Sequence, residues 1–64
     1  MNVHLALKLK LGQLVNFPPD RGSKGGQGRI VHVGNSITKS YTGSEYIWVG
    51  LADGKGVWPS NRLG

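Results

Sequence analysis

The chain has 64 residues, no cysteine, and a formal charge of +5 from five lysines and three arginines against three acids. That composition excludes a disulfide scaffold and thiolate metal sites, and two histidines, His4 and His32, cannot complete a zinc ligand set. A chain near this length buries only roughly 60% of the surface it exposes unfolded, so residues 1–64 make one domain with a thin core. Small domains without disulfides or metals lean on association, and a homo-oligomer is expected.

Val3, Leu5, Leu7, Leu9 and Leu11 alternate with His4, Ala6, Lys8 and Lys10, a period of two that predicts an N-terminal strand or extension over 1–11 with one wet face. The lysines interrupt any signal-peptide core, and no apolar run approaches the roughly 18 residues of a membrane span. Together with the missing cysteines this points to a soluble, cytoplasmic protein without a membrane partner. Val15 and Phe17 keep the same parity beyond Gly12, and Pro18-Pro19 ends the strand. Residues 20–28 (Asp-Arg-Gly-Ser-Lys-Gly-Gly-Gln-Gly) read as a loop.

Arg29-Ile30-Val31-His32-Val33 is a second strand, closed by Gly34-Asn35. Ile30 conflicts in parity with Val31 and Val33, and a bulge near Gly28 would reconcile them. Ser36 to Ser44 is polar and reads as a loop. A third strand, Glu45 to Leu51, places Ile47, Val49 and Leu51 on the core face and Tyr46 and Trp48 on the other. Asp53-Gly54 is a hairpin turn, because both central residues of a type I′ turn need positive φ. Lys55 to Trp58 returns as a short strand, and Pro59 opens one helical turn through Ser60-Asn61-Arg62. The sum is all-β, a small SH3-like barrel of about five strands with a short helical turn near the C-terminus, its barrel proper over residues 12–63.

Catalytic patterns are thin. Asp53 serves the turn, and a trio of Ser36, His32 and Asp53 is the kind of set any soluble chain offers, since triads are defined by geometry. The segment Gly22 to Arg29 lacks the Gly-Lys-Ser/Thr ending of a nucleotide-binding loop and no helix follows it. No catalytic residue, metal or cofactor is expected. Basic residues and aromatics carry more. Arg21, Lys24 and Arg29 in and around the glycine loop, with Lys55 and Arg62, suit phosphate contacts that need no strict geometry. Tyr46, Trp48 and Trp58 are candidates for stacking bases.

Two resemblances bear on this. Gly12 to Val15, Gly28 to Ile30, Tyr46 to Gly54 and Arg62-Leu63 are similar to the pattern of integrase C-terminal domains and KOW-type modules, which implies nucleic-acid binding of low sequence specificity. Val57-Trp58-Pro59 with Leu63, and Gly28-Arg29-Ile30-Val31, resemble the plasmid-borne type II dihydrofolate reductases, which implies a homo-oligomer using NADPH. Gly56 stands where that family has glutamine, Trp58 where it has tyrosine, and no lysine follows Val15. The expectation is therefore a non-enzymatic nucleic-acid-binding module, DNA-binding among its options, with Arg21, Lys24, Arg29, Tyr46, Trp48, Lys55, Trp58 and Arg62 as its contacts. The alternatives are a type II reductase-like oligomer with NADPH, or a small adaptor of phage or plasmid origin that binds a protein partner.

Overall fold

The structure, a computed structural model, describes residues 2–20 and 24–64. In chain order it comprises helix α1 (Val3–Ala6), strands β1 (Leu14–Phe17), β2 (Gly26–Val33), β3 (Thr38–Lys39), β4 (Glu45–Tyr46), β5 (Trp48–Leu51) and β6 (Val57–Pro59), and a 3₁₀ turn (Ser60–Arg62). Four strands form one antiparallel sheet in the order β1-β2-β5-β6, and β3 pairs with β4 as a separate hairpin.

The closed, all-β SH3-like barrel is not what forms. The four-stranded sheet curls into an open half-barrel whose edges stay 8 Å apart, and α1 makes the fold mixed. The strand lengths explain the gap. β6 has three residues and ends in Pro59, which has no N–H to give, and β1 has four. The outer side of β1 is met by the chain end instead: Asn16 N–H donates to the Gly64 carbonyl at 3.1 Å and Gly64 N–H donates to the Asn16 carbonyl at 2.9 Å. That is a bridge at one residue, not a ladder.

The N-terminal strand is the second correction. Residues Val3–Ala6 are helical, with the Asn2 side chain accepting the Leu5 N–H at 2.9 Å as an N-cap. Val3 and Ala6 are buried and Leu9 packs against the core, so the inward positions recur every three residues rather than every two. Leucine and alanine favour helix, and a cap was available at Asn2. The cost is that Leu5, Leu7 and Leu11 remain exposed.

Alternation holds from β1 onward. Val15 and Phe17 are buried while Leu14 and Asn16 face out. In β2 the parity conflict is resolved by a bulge, placed at Val31 between Ile30 and His32 rather than near Gly28. Ile30 pairs with Leu51 and His32 with Gly50, so Val31 is the extra residue and is exposed, while Ile30 is buried and Val33 packs on the core. Gly28 lies in β2 where an added Cβ would sit 2.8 Å from Leu51 Cδ1.

The third strand splits into β4 and β5 at Ile47. Ile47 N–H donates to the buried Ser60 Oγ at 3.0 Å, and Ser60 N–H donates to the Ile47 carbonyl at 2.8 Å. A side-chain oxygen thus takes the place of a ladder acceptor, and it docks the 3₁₀ turn against the sheet. Ile47, Val49 and Leu51 are buried as their alternation requires, with Leu63 closing the core beside them. Residues 36–44 contain the short strand β3 instead of loop alone. The Asp53-Gly54 turn has φ of 61° and 72°, the double positive φ that its sequence implies. Among the described residues no helix is long and apolar enough to cross a membrane.

Candidate functional site: a cleft at the free edge of β6

The hairpin turn and the 3₁₀ turn flank β6, and between them lies an open cleft of about 270 Å³ lined by Asp20, Lys55, Gly56, Val57, Trp58, Pro59 and Arg62. Local chain geometry builds it. Gly56 has φ of 86°, a conformation that favours glycine, and it carries the chain from the turn into β6. The half-buried Trp58 is fixed at its edge, where indole Nε1–H donates to the Lys55 carbonyl at 2.7 Å. Its ring lies 5.6 Å from that of Phe17, tilted by 35°.

Two cations border this cleft, and each is positioned by a neutral group. Lys55 Nζ donates to the Gln27 carbonyl at 3.0 Å. The Arg62 guanidinium carbon stands 5.7 Å from the centre of the Trp58 ring, within cation–π range. No salt bridge joins described residues, so neither charge is cancelled by a carboxylate partner among them. Asp20 lines the same cleft, so both signs of charge are present there. The cleft has no nucleophile–base pair, and no group of three His, Cys, Asp or Glu among the described residues is placed to hold a metal.

The nominated residues do not assemble into one basic and aromatic binding cluster, and that expectation is corrected. Lys55, Trp58 and Arg62 meet at the cleft. Tyr46 and Trp48 form a separate edge-to-face pair at 5.3 Å on β4 and β5. Arg29 is tied back along the sheet, its Nη1 donating to the Gly12 carbonyl at 3.0 Å. Lys24 is exposed before β2, and Arg21 lies outside the described residues. Trp58 itself is engaged by Phe17 and by Arg62 rather than by the other nominated aromatics. Sequence reasoning missed Asp20, Val57 and Pro59 as lining residues. Asp20 follows Pro18-Pro19, and no local pattern announces that this segment returns to β6.

Gly56 also bears on the reductase-like resemblance. A glutamine at its φ of 86° would be strained, so this position does not carry that resemblance. No family model, curated protein or solved structure matches the chain. What stands is a small, mostly β domain with a curled, four-stranded half-barrel sheet and an open cleft at one edge.

Proposed function

We propose that the chain is a non-enzymatic module that holds nucleic acid through its phosphates, with low sequence specificity. The observation that carries the reading is Lys55 and Arg62 in one cleft, each oriented by a carbonyl or an indole instead of a carboxylate, on a chain of formal charge +5. Such cations bind phosphate oxygens and fix position without reading bases. Stacking by a joint aromatic platform is not part of the proposal. The proposal places the module in the cytoplasm on its lack of cysteine, and self-association is supported by the exposed Leu5, Leu7, Leu11, Leu14 and Val57 of so small a domain.

The test is affinity for labelled oligonucleotides measured at several salt concentrations. Each neutralised phosphate contributes about −0.9 to the log–log slope on duplex and about −0.7 on single strands. Lys55→Ala and Arg62→Ala should each flatten that slope by about one contact. An affinity indifferent to salt refutes the proposal.

A further inference from the structure

We infer that the outer face of the four-stranded sheet, turned away from the core, is where two copies of this chain meet as a symmetric dimer; this rests on the self-association proposed for the chain and not on phosphate binding. The register defines that face. Val15, Phe17, Ile30, Val49 and Leu51 turn inward to the core. Leu14 of β1, Val31 at the bulge of β2, Trp48 of β5 and Val57 of β6 turn the other way, and all four are exposed. An antiparallel sheet with one face on the core commonly carries polar residues on the other. Here each of the four strands gives a large apolar side chain to the solvated face.

Charge selects a second copy as the occupant. In a two-fold contact each side chain faces the same patch of its partner, so on a chain of formal charge +5 the favoured face is the one with fewest cations. Among the strand positions of the outer face, Arg29 is the one lysine, arginine or acid. Its Nη1 is held by the chain's own Gly12 carbonyl at 3.0 Å. The exposed Leu5 and Leu7 at α1 are followed instead by Lys8 and Lys10, which a two-fold contact there would set against their own copies. An acidic partner would be drawn to Lys55 and Arg62, which lie in the β6 cleft. Area points the same way. The chain exposes 4404 Å², against about 4,000 Å² for a compact monomer of its 6.9 kDa mass. A standard interface takes about 800 Å² from each partner, roughly a fifth of this surface.

The experiment is sedimentation equilibrium of the full chain without nucleic acid, beside Val31→Glu and Trp48→Glu on the sheet and Leu5→Glu on α1, with folding checked by circular dichroism. The expected result is a monomer–dimer equilibrium that either sheet substitution weakens by at least about tenfold, because each sets two like charges face to face. Leu5→Glu should leave it within about twofold. A second measurement needs no variant: in NMR spectra of the native chain, dilution through the dissociation range should move the side-chain signals of Val31, Trp48 and Val57 and leave those of Leu5 and Leu7 in place. A dimer that survives both sheet substitutions, or dilution shifts at Leu5 and Leu7 in place of the sheet residues, overturns this inference alone. A chain that stays monomeric to millimolar concentration overturns self-association and the inference with it. Neither result touches the phosphate reading, which stands or falls on the salt dependence of oligonucleotide binding.

Discussion

Replacing Ser60 with alanine tests the contact that ties the 3₁₀ turn to the sheet. Ser60 is fully buried, and its Oγ accepts the Ile47 N–H at 3.0 Å. The alanine variant keeps the reciprocal bond from Ser60 N–H to the Ile47 carbonyl but leaves the Ile47 N–H without its acceptor. Ile47 is itself fully buried, so the stranded donor loses water as well as its partner. An unsatisfied buried group costs about 1–3 kcal/mol. At about 4–8 °C per kcal/mol for a domain of this size, the melting temperature should fall by about 4–24 °C. Thermal and urea unfolding followed by circular dichroism measure it, with the urea midpoint moving at constant m. Amide exchange gives the local readout, because Ile47 N–H should lose protection beyond the global change. An unchanged melting temperature together with a still-protected Ile47 amide would refute the reasoning, since the hydroxyl would then not be what satisfies that donor.

Gly28→Ala should destabilise by about 1–3 kcal/mol in urea unfolding, because the new Cβ meets Leu51 Cδ1 at 2.8 Å with Leu51 Cβ and Cγ at 3.3 Å behind it. Ile30→Ala, at a side chain 1% exposed, should cost about 2–5 kcal/mol by the same measurement and yield little folded protein at ordinary temperature. Asp53→Val should destabilise by about 1–2 kcal/mol, since a β-branched residue is held at φ of 61°, while Asp53→Gly should be tolerated.

The parts of the fold that could be read from the residues are those where one chemical requirement dominates. Asp53-Gly54 is such a case, since few other pairs tolerate two positive φ values in succession. Ile47, Val49 and Leu51 are another, because burying the odd positions leaves only one orientation for the segment. Elsewhere two patterns competed. The leucines of residues 3–11 alternate like a strand, yet they are helix formers behind an asparagine cap, and Val3 and Ala6 reach the core from a helix. The bulge could be inferred from the clash of Ile30 with Val33, but its position depends on pairing with Gly50 and Leu51, far along the chain. Barrel closure depends on how far β1 and β6 extend, which alternation does not encode. The cleft was foreshadowed only in that Lys55, Trp58 and Arg62, three of the eight nominated residues, line it. It was not legible in Asp20, which arrives through tertiary folding, or in the contact of Arg62 with the Trp58 ring.

The extra residue at Val31 has a consequence for how this chain tolerates change in length. Ile30 pairs with Leu51 and His32 with Gly50, so removing Val31 would leave every other β2 side chain on its present face and every partner opposite the same residue. Elsewhere in a strand a single deletion turns all that follows inside out. Here it would instead relax the local twist that the bulge imposes. The curl of the half-barrel is thus adjustable by one codon, independently of the core that the sheet encloses.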